Sequence, residues 1–282
     1  MDLNTIRSVR QPRERHELTL APGEDFLGGG SWLFSEPQLG LTGLVDLTSL
    51  GWPPIEVDDD VLRIAATCTF TELAAVEARA GWRAHPLLRQ CCTALLGSFK
   101  VWNTATVGGN ICLALPAGPM TSLASALDAT AVIWTPDGGE RRMPVLDLVV
   151  DVQTTSLERG EPLRSIEIPI ERMRSATAYR KIALSALGRS GTVVIARLDA
   201  DGTFAATVSG GTTRPVQVRF DAVPEASALA AAIEQIDCWY DDLHGAPDWR
   251  RAMSVLLAEE CRVELLAGST AASAATHSED PR

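Results

Sequence analysis

The sequence predicts an α+β protein built in two parts. Three observations carry that expectation. Segments with strand-like alternation, such as "LRIAATCTF" and "LRSIEIPI", are interleaved with helical segments bounded by start and stop residues. A break in composition falls at "ERMRSA", Glu171–Ala176. The chain has 282 residues, enough for two cores and near the size at which single cores split.

The elements follow in order. A short strand at Phe26–Leu27 leads into "GGGSWLF", and a second strand follows at "GLVDLTS". Strand-like alternation over Leu62–Thr67 precedes Thr69 and Glu72, whose S/T-x-x-E spacing forms a capping box. That box predicts a helix to about Ala80, stopped by Gly81. "HPLLRQCCTALLG" predicts a helix with Pro86 at its first position and Gly97 past its end. The stretch "VWNTATVGGNICLALPAGP" is apolar and strand-like, broken by Gly108, Gly109 and Asn110. "MTSLASALDA" is helical in pattern, and "TAVIWTPDGGERRMPV" is a hairpin turning at Pro136–Gly139.

Past the break, "TAYRKIAL" predicts a strand. "TVVIARLDADGTFAATVSGG" predicts two more, joined by an Asp-Ala-Asp-Gly turn. Two helices follow, "ASALAAAIEQI" and the segment from Pro247 to Gly268, in which Trp249, Met253 and Leu256 share a core-facing stripe. The tail, 269–282, is small and polar and is expected to be disordered.

Composition removes several function classes. The chain is 46% hydrophobic and 22% charged, ordinary values for a globular protein. Its formal net charge is -11, and no basic stripe offers the phosphate contacts a nucleic-acid binder needs. One basic cluster, Arg7, Arg10, Arg13 and Arg15, reads as a solvated edge or a surface for an acidic partner. No apolar leader and no membrane-spanning stretch stand out, so a soluble, cytoplasmic protein is expected. The six cysteines include no C-x-x-C pair and sit in apolar runs. The four histidines are scattered. Neither set has the spacing of a metal or iron–sulfur site.

Two glycine clusters remain, Gly28–Gly30 and Gly108–Gly109. Consecutive glycines permit positive φ and can expose adjacent backbone N–H groups to an anion such as a diphosphate. Ser31, Thr106 and Asn110 add uncharged donors beside them. Neither cluster matches the P-loop or the G-x-G-x-x-G turn. A turn or bulge is the competing explanation, and the residues alone reach only a diphosphate-containing ligand.

At this point the motifs resemble a known family. "ATVGGNICLALPAG" resembles the signature T-[IV]-G-G-N-x-x-x-x-x-P-x-[AG] of the FAD-binding medium subunits of molybdenum hydroxylases, the xanthine dehydrogenase and carbon monoxide dehydrogenase group. "FLGGGSWL" resembles their first flavin loop, L-x-A-G-G-T-[DE]-L. "EPLRSIEIP" followed by "YRKIA" resembles the end of their FAD domain and the entry to a C-terminal domain. The likeness runs from about Ile6 to Leu266.

The resemblance implies a two-subdomain FAD-binding domain of p-cresol methylhydroxylase/vanillyl-alcohol oxidase type plus a C-terminal α/β domain. The corresponding bounds are 1–173, with subdomains of about 1–55 and 56–173, and 174–268. It implies FAD contacts at Phe26, Leu27, Gly28, Gly29, Gly30, Ser31, Trp32 and Leu33, and at Thr106, Val107, Gly108, Gly109 and Asn110. It adds Leu96 and Leu163 as apolar flavin contacts and Lys181 as a lysine near the ring. Two positions depart from the pattern: Trp32 stands where an acid is common, and Pro119 stands where S-P-x-x-D ends in one.

The implied role is electron transfer. A large subunit carrying molybdopterin would oxidise a substrate, and a small subunit carrying two [2Fe–2S] clusters would pass electrons to FAD on this chain. An acceptor such as NAD, oxygen or a quinone would then take them. The flavin supplies the chemistry, so no acid/base residue is expected here. The alternatives are a stand-alone FAD oxidoreductase of the same fold and an assembly subunit that has lost its flavin.

Overall fold

The computed structural model describes the backbone of residues 4–277, with side chains as far as Gly268. It has the mixed α+β composition expected. Three short strands, β1 (Ser8–Arg10), β2 (Glu24–Leu27) and β3 (Gly43–Asp46), form a parallel sheet in the order β1–β3–β2. Leu18, Val45 and Leu47 make its small core. Two of the N-terminal arginines have partners inside the chain. Arg10 pairs with Glu24 at 2.8 Å, and Arg15 lies 4.6 Å over the Trp134 ring. Trp134 meets Trp52 edge-on at 5.3 Å, and Arg164 lies 4.5 Å over Trp52. This stack fixes the first sheet against the second.

The second unit opens with β4 (Ile55–Val57) and β5 (Val61–Ala65). Helices α1 (Phe70–Ala74), α2 (Pro86–Ala94), α3 (Phe99–Trp102), α4 (Val107–Leu113) and α5 (Pro119–Ala126) follow. Then come hairpin β6 (Thr130–Trp134) and β7 (Glu140–Pro144), α6 (Val145–Leu148) and the ribbon β8 (Val149–Asp151) and β9 (Thr154–Thr155). Strand β10 (Leu163–Pro169) and α7 (Ile170–Arg174) close the unit. An antiparallel sheet runs β4–β5–β10–β6–β7. Central β10 buries Leu163, Ile166 and Ile168 together with Glu167. Burial alone would raise the Glu167 carboxyl, but Arg63 at 2.8 Å and Arg142 hold it below its usual range.

The third unit is an antiparallel sheet of β11 (Ala176–Ile182), β12 (Thr192–Leu198), β13 (Phe204–Ser209) and β14 (Val216–Phe220), in that order. Helices α8 (Ala226–Glu234) and α9 (Pro247–His277) cover one face. Phe204, Ala206 and Val208 meet Leu229 and Ile233 of α8 and Leu257, Ala258 and Cys261 of α9 in one core.

Four expectations are corrected. The strand-like stretch "VWNTATVGGNICLALPAGP" is helical, supplying α3, α4 and the start of α5. Thr106 caps α4 by accepting a bond from the Gly109 N–H at 3.1 Å, and Ala114, left-handed at φ 50, ends it. The Thr69–Glu72 capping box forms, but α1 stops at Ala74. His85 takes the Val76 carbonyl at 2.7 Å, which a continuing helix would need for its next turn. On α9 the sheet-facing stripe is Leu257, Ala258, Cys261 and Leu265, whereas Leu256 is half exposed. That helix also continues through Gly268 into the alanine-rich segment, as strong helix formers on the far side outweigh one glycine. Residues 278–282 of the expected tail lie outside the described residues.

Candidate functional site

A cleft of about 1310 Å3 runs between the first sheet, the α4 region and the edge of the third unit. Its size suits an extended ligand of dinucleotide length. Both glycine clusters line it, and they also touch each other. A Cβ on Gly29 would sit 1.4 Å from the Thr104 carbonyl oxygen, and one on Gly28 would sit 2.9 Å from Thr106 Oγ1. Gly30 adopts φ +68, with the Phe34 ring packed against its Cα. The first cluster is therefore glycine because two backbones cross there.

The two clusters divide the work of binding unequally. In α4 every early amide is spoken for. The Val107 N–H bonds Cys68 O and the Gly108 N–H bonds Ala66 O, each at 2.8 Å. Gly109 N–H bonds Thr106 Oγ1, and Asn110 N–H bonds Thr106 O. The second cluster thus offers no free backbone donor. It offers side chains instead: the Thr106 hydroxyl, and the Asn110 amide nitrogen, whose Oδ1 already accepts from Met120 N–H at 2.9 Å. The first cluster is the reverse. Among the described residues, the backbone N–H groups of Gly29 through Leu33 have no acceptor in the protein, while Phe34 N–H returns to Gly30 O at 2.9 Å. A run of unpaired amides on a cleft wall is a fitted seat for phosphate oxygens. On this observation the residues fit a diphosphate.

Of the residues singled out from sequence, Phe26, Leu27, Gly28, Gly29, Gly30, Ser31, Trp32 and Leu33 line the cleft, as do Leu96, Thr106, Gly108, Gly109, Asn110 and Leu163. Two do not. Val107 is fully buried and packs in the core under α4. Lys181 is exposed on β11 and lines a separate concavity of about 360 Å3. By strand alternation Lys181 shares the β11 face of Tyr179, opposite Val193, but it is the loop after β11 that supplies the cleft lining. Pro119, where an acid was expected, is buried at the start of α5 and also lies outside the cleft lining.

Sequence reasoning missed Arg159, Arg189 and Ser190. Arg159 lines the cleft and donates to Ala21 O at 2.8 Å, bridging it to the first sheet. Arg189 and Ser190 enter it from the β11–β12 loop. Their one sequence signal is a polar pair flanked by Gly188 and Gly191.

Cys112 is the cysteine that lines the cleft, and burial pushes its thiol up to about 12. It is therefore a neutral thiol near pH 7, unsuited to nucleophilic work. No group of three or more His, Cys, Asp or Glu residues is placed to hold a metal among the described residues. No helix among them is long and apolar enough to cross a membrane.

A deep cleft with an amide-lined glycine loop and apolar walls defines a binding domain for an extended, anionic organic cofactor. The chain belongs to the family described as the FAD binding domain in molybdopterin dehydrogenase, whose profile matches residues 10–171, more than half of its length. It is 26% identical over 150 residues to the glyceraldehyde dehydrogenase medium chain of Sulfolobus acidocaldarius, covering 53% of this chain and 50% of the relative. It is 29% identical over 138 residues to the nicotinate dehydrogenase FAD-subunit of Eubacterium barkeri, covering 46% and 43%. The matches thus span about half the length of these curated relatives. The fold is that of a chain in carbon monoxide dehydrogenase from Hydrogenophaga pseudoflava, a form that lacks the Mo-pyranopterin moiety of the molybdenum cofactor. There the TM-score is 0.78 at 20% identity, over 93% of this chain and 98% of that one.

Proposed function

We propose that this chain is the FAD-carrying electron-transfer subunit of a cytoplasmic molybdenum hydroxylase complex. Electrons enter from [2Fe–2S] clusters on a small partner, after substrate oxidation on a large subunit holding molybdopterin. They leave to an external acceptor such as NAD, oxygen or a quinone. The observation that carries the reading is the run of unpaired amides from Gly29 to Leu33, in a chain of an FAD-binding family. Bound FAD supplies a carrier that accepts an electron pair and can release it in one or two steps.

The chain's own residues bind and orient that carrier. The amides of Gly29–Leu33 and the Thr106 hydroxyl hold the diphosphate, and Asn110 adds a side-chain donor. Leu96 and Leu163 supply apolar surface and keep water from the rings. We infer domain bounds of 1–173, divided near residue 55, and 174–268.

The test is the spectrum of the purified chain and the identity of its companions. A bound flavin that is reduced only when the iron–sulfur and molybdenum partners and a substrate are present supports the reading. Flavin with no co-purifying partner points to a stand-alone oxidoreductase. Protein that stays colourless after incubation with FAD points to an assembly subunit, the reading favoured by the apolar Pro119 in place of an acid.

A further inference from the structure

The cleft contains a cation and a hydroxyl that nothing among the described residues satisfies. Arg189 is half-buried, lines the cleft, and has neither a carboxylate nor a hydrogen-bond acceptor among the described residues. Its neighbour Ser190 also lines the cleft, is 4% exposed, and its hydroxyl has no partner. Buried polar groups are nearly always paired, so an orphan on a cleft wall points to a ligand atom.

The pair is also held in place. Gly191 N–H bonds Ile182 O at 2.8 Å, closing the base of the loop. Arg250, 1% exposed, donates to Gly191 O at 2.8 Å, to Gly210 O at 2.6 Å and to Gly245 O at 2.7 Å, and pairs with Asp242. The Trp249 ring packs on Gly191, where a Cβ would lie 2.6 Å from it.

The position within the cleft follows from contacts. The first glycine loop abuts Thr104 and Thr106, at the start of α4. Gly210, which packs against Thr192, bonds Pro116 O at 2.9 Å, just past the end of α4. The first glycine loop thus abuts the N-terminal side of α4, whereas the Arg189–Ser190 end lies beside the segment that follows its C-terminus. A diphosphate on the first loop leaves that far end to a ring system. Of the two rings of FAD, only the flavin gains negative charge on reduction. An unpaired guanidinium favours such a charge.

We propose that Arg189 and Ser190 contact the flavin ring of bound FAD. Arg189 stabilises the reduced, anionic form and Ser190 anchors the ring by a hydrogen bond. Lys181 has no part in this. The inference rests on the FAD reading above and assigns the charge-sensing role to a residue outside both glycine motifs.

The test uses the full chain loaded with FAD. The measurements are FAD affinity, by flavin fluorescence, and the midpoint potential, by equilibration with redox dyes. Arg189→Gln is expected to lower the potential, because the ratio of affinities for reduced over oxidised flavin falls roughly tenfold, the effect of one charge-assisted contact. Arg189→Lys restores most of the shift. Ser190→Ala weakens FAD binding several-fold with little change in potential. Lys181→Gln changes neither. A loaded wild type whose potential is unmoved by Arg189→Gln overturns the proposal, as does a shift produced by Lys181→Gln instead. Reduced affinity in Arg189→Gln with an unchanged potential also overturns it, since the cation would then face the part of FAD whose charge is constant. A wild type that binds no FAD at all defeats the FAD reading itself, a distinct result.

Discussion

At the scale of single residues, Gly29 and Gly109 make different demands. A Cβ on Gly29 would meet the backbone oxygen of Thr104 at 1.4 Å, and backbone cannot swing aside. Gly29→Ala must therefore part the two loops, and overpacking of this kind costs about 1–3 kcal/mol. It also displaces the free amides of Gly29–Leu33. The expected result is loss of FAD binding by fluorescence titration, together with a lower unfolding midpoint. A Cβ on Gly109 would meet only Thr106 Oγ1, at 2.7 Å. Gly109→Val breaks that cap, and a lost N-cap costs about 1 kcal/mol. It should abolish FAD binding while leaving amide exchange in β11–β14 as slow as in the wild type. Retained flavin occupancy in Gly109→Val would remove the second cluster from the site. Cys112 makes a third residue-scale expectation. With its thiol pushed up to about 12 by burial, it should resist alkylation near pH 8 by mass spectrometry, and yield only as the pH rises toward that value.

At the scale of elements, Thr106 shows how cap and site coincide. Its hydroxyl oxygen accepts from Gly109 N–H, which leaves its proton for a ligand. Thr106→Ala should lower stability by about 1 kcal/mol and weaken FAD binding, and Thr106→Ser should recover both. Equal behaviour of the two variants in FAD titration would show that the hydroxyl does not serve the ligand. Other elements show what the sequence discloses and what it hides. The capping box at Thr69–Glu72 was legible because all its bonds are local. The end of α1 was not, because His85 captures the Val76 carbonyl from outside the helix. The stretch around Gly108–Asn110 carries two glycines in a seven-residue helix, so local propensity argued against a helix. What offsets the glycines is tertiary: bonds to Ala66 O and Cys68 O, and a close approach in which a Cβ on Gly108 would lie 2.4 Å from the Ala66 Cβ. The same contact explains why a free amide nest was a fair expectation at both clusters and is found at only one. Arg189 and Ser190 were hidden for another reason. Their place in the cleft depends on Arg250 and Trp249, about 60 residues further along the chain, and no periodicity encodes such a reach.

At the scale of the whole molecule, the cleft works only if the C-terminal unit is held against α5. Every residue of α5 is buried, and the joint beside it is polar and charged. Ser122 and Ser209 hydroxyls lie 2.7 Å apart, and Gln217 donates to Ser125 O at 3.1 Å. Asp128, just past α5, gathers Arg197 at 2.7 Å, Arg172 at 2.9 Å and Arg219. Arg197 is 1% exposed and also bonds Asp199 at 2.8 Å. Burial alone would raise the Asp128 carboxyl, but the hydrogen bond from Arg197 and the three arginine charges hold it below its usual range. Asp128→Asn removes the charge while keeping a residue that tolerates the left-handed φ of 52 found here. It leaves Arg197 short of a counter-charge, so it should destabilise the protein by about 3 kcal/mol in urea near neutral pH. The pH dependence has a definite sign. A carboxyl whose folded pKa lies below its unfolded value of about 3.9 stabilises fully above that value. The contribution is lost as the pH falls through the folded value. The gap between wild type and Asp128→Asn should therefore be constant from neutral pH to about pH 5 and close on further acidification. A gap that persists unchanged in acid would show that shape rather than charge holds the joint. Because the same joint holds the unit that carries Arg189 against the unit that the Gly29–Leu33 loop abuts, Asp128→Asn should also weaken FAD binding at neutral pH, although Asp128 does not itself line the cleft.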